Sequence, residues 1–290
     1  MDKRMPKLLR FAGRVLRDFF LRNHGLLLTA AVAHNIMLSL IPLSAVFVVV
    51  FSHYYEEAFL LDTLTAEVAL IAPGFVPVLT EVLAGFLAGR ELIGWVGGLS
   101  LLLFSSLAFR VLEDSIAIIF HRPVTPLKRK FWVSALMPYL FIGIVVCGLV
   151  ALTIVNGVLD ADGIDFLNID RFTNHLVYLA NMAGLVLLFA LFYKIMPVVK
   201  ISFRRALAGG LTATILWEVA RRLVVAYFTN VSVVNALYGS MATIVIVLLT
   251  LEAIALILLL GAQVIADLQR SSDAGIAWHE DPDDTIDPSI

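Results

Sequence analysis

From Met241 to Ala266 the chain runs for 26 residues with a single charged side chain, Glu252. A helix needs roughly 20 apolar residues to cross the hydrocarbon of a bilayer, so this stretch is long enough to span it. Inside lipid every backbone N–H and C=O must be satisfied by the protein itself, which leaves helices and closed barrels as the available solutions. The strands of a membrane barrel would show alternating segments of about ten residues rather than one continuous run. The expectation is an all-α, polytopic membrane protein, and the rest of the chain repeats the pattern.

Six spans are expected. The first covers residues 26–53 and contains Pro42, which removes a ladder hydrogen bond and is expected to kink the helix. The second covers 91–109 and is rich in Gly94, Gly97, Gly98, Ser100, Ser105 and Ser106. Small residues let helices approach closely in lipid, so this reads as an interior helix, continued by the amphipathic segment RVLEDSIAIIF. The third covers 131–159 and the fourth 175–196; the fifth and sixth, 203–230 and 237–268, form a hairpin. Between the first two spans, APGFVPVL holds Pro73, Gly74 and Pro77 and cannot be one straight helix. Residues 54–90 therefore read as short helices at the outer surface.

Only 15% of the residues are charged, against roughly 25% in soluble domains, and the mean hydropathy is +0.94. The lone Cys147 can make no intrachain disulfide. Lysine and arginine fall in a pattern: seven precede the first span, five lie between Arg110 and Lys130, and four between Lys194 and Arg205. The alternate connections carry Arg90, Arg171 and none. The positive-inside rule then puts both termini in the cytoplasm.

The amino terminus, residues 1–25, carries Lys3, Arg4, Lys7, Arg10, Arg14, Arg17 and Arg22 among Leu8, Leu9, Phe11, Val15, Leu16, Phe19 and Phe20 at helical spacing. This predicts a basic amphipathic helix on the membrane surface, facing anionic lipid headgroups. Residues 26–268 read as the transmembrane domain. Residues 269–290, with Asp273, Glu280, Asp281, Asp283, Asp284 and Asp287, read as an acidic, disordered tail.

Several motifs, in order, resemble one family. They are AVAHNIMLSLIPL in the first span, FRVLEDSIAIIFHRP followed by FW after the second, and LFYKIMPVVKISFRRALAGGLTATILWE entering the fifth. YGSMATIVIVLL and LLLGAQVIADL complete the set in the sixth. The chain resembles the YihY / virulence factor BrkB family of bacterial inner-membrane proteins, formerly labelled ribonuclease BN. The resemblance implies six transmembrane helices and an inner-membrane location, and brings no activity with it. Three positions depart from the family pattern: His34-Asn35, where aromatic residues are usual; Glu252, where a large apolar residue is usual; and Gln263, where Glu often follows Gly-Ala.

Ionisable groups in hydrocarbon cost kilocalories each unless paired or wetted, so those of the hairpin need an explanation. Glu218 lies three and four residues before Arg221 and Arg222, within reach on one helical flank. Glu218 and Glu252 are both expected near the midplane. Two readings stand. In one, Arg221 or Arg222 faces an anionic substrate in a polar cavity lined by the first, fifth and sixth spans, and Glu252 exchanges a proton. In the other, the charges pair with one another and merely fix helix packing, with an arginine snorkelling to the interface. His34, Asn35, Gln263 and Tyr238 are further candidates for lining such a cavity, although helix–helix hydrogen bonding and interface anchoring account for them equally. Arg110, Glu113 and Asp114 read as a salt-bridge cluster at the cytoplasmic end of the second span.

A nuclease would need carboxylates or histidines grouped for metals at an aqueous surface. The six histidines (His24, His34, His53, His121, His175, His279) are scattered, with no HxH or HxxxH spacing and no phosphate-binding glycine loop. No enzyme activity, cofactor, metal or nucleic-acid partner is expected. The favoured function is movement of an anionic solute or lipid; the alternative is a non-transporting protein that supports the envelope or scaffolds partners. Small-residue faces could pack within one chain or between copies in a homo-oligomer.

Overall fold

A computed structural model of the chain describes residues 6–56, 76–120, 170–196, 201–230 and 241–282, with isolated positions at 58, 59, 61, 62, 65, 140, 143 and 148. Regular structure among them is helical throughout. The elements are α1 (Lys7–Arg17), a π-helical turn (Asp18–Arg22), α2 (Gly25–Phe51), α3 (Val76–Ala88), α4 (Arg90–Ile119), α5 (Asp170–Ile195), α6 (Phe203–Asn230) and α7 (Met241–Asp273). The expected third span and the acidic loop after it lie outside the described residues apart from isolated positions, as does Tyr238.

Among the described residues, three helices are long and apolar enough to cross a membrane, over Gly94–Ile119, Tyr178–Ile195 and Val247–Asp273; Gly25–Leu40 is a shorter apolar helix. Along α4, Leu92, Trp95, Leu99, Leu102 and Leu103 are exposed, an apolar surface that calls for lipid or protein cover. The second span and its amphipathic continuation are one uninterrupted 30-residue helix. The helical backbone of α2 likewise continues through Pro42.

The chain divides into two compact units: Met1–Leu28 with Glu113–Ala220 and Leu256–Ile290, and Thr29–Leu112 with Arg221–Ala255. In the second, α3 places Leu83 and Leu87 against Val48 of α2. At 13 residues α3 is about 20 Å long, too short to cross the hydrocarbon. Gly94 of α4 meets Val49, and Gly97 meets Ala45 and Val46, whereas nothing lies within 4 Å of Gly98 and much of the helix is exposed rather than interior.

In the first unit, glycines set the packing of α5, α6 and α7. A Cβ on Gly210 would lie 2.6 Å from the Val186 carbonyl oxygen of α5, and one on Gly209 would lie 2.9 Å from the Gly261 carbonyl oxygen of α7. These two adjacent glycines therefore let α6 touch backbone on both sides. Gly261 leaves room for the fully buried Tyr193, whose hydroxyl donates to the Leu258 carbonyl at 2.9 Å. The RRALAGG and LLLGAQ motifs are thus close-packing devices of the kind lipid favours.

The amino and carboxyl ends depart from expectation. The chain turns from the π-helical segment into α2 at His24, which adopts a left-handed φ of 49°. That conformation is uncommon outside glycine, but histidine is among the residues that tolerate it best. It brings Gly25 under the ring of Phe19, where a side chain would clash. The tail expected to be disordered from residue 269 is instead helical to Asp273 and ordered to Pro282. Acidic composition argued for disorder, but specific partners on α1 override it.

Candidate functional site

The best-defined polar constellation joins α1, the π-helical turn, the end of α7 and the tail. Arg14 faces inward from α1 and is only 2% exposed. Its Nη1 donates to Ser271 Oγ at 3.0 Å and to the Glu280 carbonyl; its Nη2 donates to the carbonyls of Trp278 at 3.2 Å and Asp267 at 3.3 Å. Arg14 Nε stands 3.9 Å from Asp267 Oδ2, an ion pair between two buried side chains. Phe11 completes the setting, lying under the Arg14 guanidinium at 5.1 Å and edge-on to Trp278 at 5.5 Å.

Asp18, 1% exposed, is the second hub. The Asn23 N–H bonds back five residues to the Asp18 carbonyl at 2.9 Å, the signature of a π turn. Asp18 Oδ1 accepts from Arg17 Nε at 3.0 Å and Nη2 at 2.8 Å, while Oδ2 accepts from Arg270 Nη1 at 3.2 Å. Arg17 Nη2 also reaches Asp281 Oδ2 at 2.5 Å. The bonds to Asp18 and then Asp281 hold the Arg17 guanidinium protonated well above its ordinary range.

Asn23 and Gln263 extend the network. Asn23 Nδ2 donates to Gln263 Oε1 at 2.8 Å, and Gln263 Nε2 donates to Asp267 Oδ1 at 3.0 Å, one turn along α7. Arg270 lies 4.0 Å from that same oxygen. Three guanidinium groups (Arg14, Arg17, Arg270) are thereby matched with three carboxylates (Asp18, Asp267, Asp281). Such charges are tolerated away from water only when paired and hydrogen-bonded. Beside the network, Arg205 Nη2 donates to Ser272 Oγ at 2.8 Å, tying the start of α6 to the end of α7.

The structure places the residues singled out from the sequence as follows. Gln263 is fully buried, and both ends of its amide are engaged by Asn23 and Asp267. Glu218, Arg221 and Arg222 share α6; Glu218 is half-buried, whereas both arginines are exposed. Glu252 is half-buried in the first half of α7. His34 is exposed on α2, and Asn35 spends its amide on the Ala31 carbonyl of its own helix at 2.8 Å. On α4, Arg110 and Asp114 are exposed and Glu113 is half-buried. Among the described residues, no three His, Cys, Asp or Glu side chains gather as a metal site.

Sequence reasoning missed the hubs Arg14, Asp18 and Asp267. Arg14 was absorbed into the basic flank, and Asp267 into the polar end of the last span. One signal was there: Gln263 and Asp267, four apart on one helix, pair one turn along α7.

Long apolar helices, close glycine-mediated packing and exposed apolar faces define a polytopic α-helical membrane protein. The chain belongs to the virulence factor BrkB family, whose model matches residues 17–284. It is 28% identical over 280 residues to a UPF0761 membrane protein of Rhodospirillum centenum, covering 92% of this chain and 60% of that one. A UPF0761 membrane protein of Pseudoalteromonas translucida is 27% identical, covering 89% of this chain and 84% of that one. One of Verminephrobacter eiseniae is 26% identical, covering 91% and 63%. The chain thus spans about three-fifths of the length of two of these relatives. No solved structure matches it.

Proposed function

We propose that the protein is a non-enzymatic, six-span inner-membrane carrier for an anionic lipid or solute, with both termini in the cytoplasm. The observation that supports this most is the pair Arg221 and Arg222, exposed on α6 one turn beyond half-buried Glu218. They lie 18 and 19 residues into a helix that starts at Phe203, so about 27–29 Å from its beginning. Val219 and Leu223 beside them are also exposed, so the two cations have apolar neighbours along the helix. Ionisable residues on a membrane helix either pair within the protein or mark a substrate pathway, and on this reading the arginine pair would face an anion. Glu252, half-buried on α7, is available for proton coupling on this reading.

Purified protein in phosphatidylcholine/phosphatidylglycerol liposomes tests the reading, with scrambling of a labelled phosphatidylglycerol and chloride or phosphate flux measured side by side. Flux above protein-free liposomes that falls about ten-fold or more in Arg221→Ala/Arg222→Ala, as removal of a charge-assisted anion contact predicts, supports it. Absence of flux by the intact protein overturns it. The rival is an envelope scaffold without transport, favoured by the ion-pair network that ties the two ends of the chain together.

A further inference from the structure

We infer that α1 is held between the protein on one side and the anionic surface of the bilayer on the other, and that it binds lipid without leaving its seat. This holds whether or not the protein transports. A surface helix of the usual kind has one apolar face, which is either in lipid or against protein. This one has two. Phe11 and Arg14 are turned to the tail and the end of α7, where Arg14 is locked by Ser271 and the backbone of residues 267, 278 and 280, and Val15 next to them is buried. Leu8, Ala12 and Leu16, four residues apart and so on another flank, face outward with Leu9.

Leu8 is 73% exposed, Leu9 57% and Leu16 48%. The strip continues through Phe20 and Leu21 of the π turn to Leu26 and Leu27, which are 64% and 72% exposed at the start of α2. This apolar surface leads from the inward-anchored helix to the start of the first membrane helix, interrupted by exposed Arg17 and His24. Exposed Lys7 stands at its start, and exposed Arg22 within it before Leu26. Apolar side chains flanked by basic residues are the complement of an anionic headgroup layer over acyl chains.

Single cysteines at Leu9 and Leu16, in a Cys147→Ser background, carry a nitroxide in the full chain reconstituted in nanodiscs of phosphatidylcholine with phosphatidylglycerol. A third at the exposed Ala274, just beyond α7, is the aqueous reference. The expected result is that the Leu9 and Leu16 labels meet oxygen in preference to a water-soluble nickel chelate, while the Ala274 label does the reverse. The tail must stay protease-protected in the same samples, as it is if α1 keeps its seat. With fluorophores in place of nitroxides, spin-labelled phosphatidylglycerol should quench roughly two- to five-fold more than spin-labelled phosphatidylcholine. Nickel access equal to that at Ala274 puts the strip in water, and exclusion of both reagents puts a second copy or another protein on it; either overturns the inference. Equal quenching by the two lipids overturns its anionic component, and loss of tail protection overturns the docked state.

Discussion

Replacing Arg14 by Met removes a buried charge while keeping much of the side-chain volume. Four hydrogen bonds go with it, to Ser271 Oγ and to the carbonyls of residues 267, 278 and 280. Asp267 is left buried with Gln263 as its hydrogen-bond donor and Arg270 at 4.0 Å as its nearest cation. A unit charge pair at about 4 Å is worth about 4 kcal/mol at an effective dielectric of about 20, and the Arg14–Asp267 separation is 3.9 Å. Part of that gain is offset by desolvation when both partners are present, but removing only one leaves the other's desolvation uncompensated. The expected loss is therefore about 3–5 kcal/mol, or roughly 6–20 °C in Tm for a chain of this size.

The assay is thermal unfolding in detergent, followed by tryptophan fluorescence. Trp278, edge-on to Phe11, reports on the tail directly. The companion variant Arg14→Met/Asp267→Leu removes both charges and is expected to recover a substantial part of the loss, since contacting charged partners couple by about 0.5–3 kcal/mol. Recovery will be incomplete, because the Trp278 carbonyl still lacks its donor, although that of Glu280 keeps Ser271 Oγ at 3.2 Å. A single variant within about 2 °C of the parent would refute the claim that Arg14 is the buried anchor. A double variant no more stable than the single would show that the lost hydrogen bonds, not the ion pair, carry the effect.

Two further outcomes follow from the packing. Gly261→Ala sets a methyl against Tyr193 and should cost about 1–3 kcal/mol, with part restored by adding Tyr193→Phe, both read as Tm shifts; no loss would mean α5 and α7 are not held this close. Deleting the chain after Asp273 removes the Trp278 and Glu280 carbonyls and Asp281, so trypsin should cleave at Arg14 and Arg17 faster than in the full chain. Unchanged cleavage would mean that the tail does not hold α1.

The membrane class was legible because continuous apolar runs admit few solutions, and 26 residues interrupted only by Glu252 settle the secondary structure of α7 almost alone. The family motifs were legible for a reason the packing now supplies. Gly209, Gly210 and Gly261 stand where backbones touch, and such positions tolerate little else. The clasp at the chain ends was not legible, because its members come from residues 14–23 and 263–281 and no local rule links segments some 250 positions apart. Composition even argued against it, since arginines at an amino terminus satisfy topology and aspartates at a carboxyl terminus satisfy disorder. What distinguishes Arg14 from Lys7 is direction, not chemistry: at four-residue spacing Phe11 and Val15 turn one flank inward, and Arg14 lies next to it. Once that flank is fixed against α7, the flank carrying Leu8 and Leu16 has nowhere to go but outward, which makes the clasp and the exposed apolar strip two consequences of a single helix orientation.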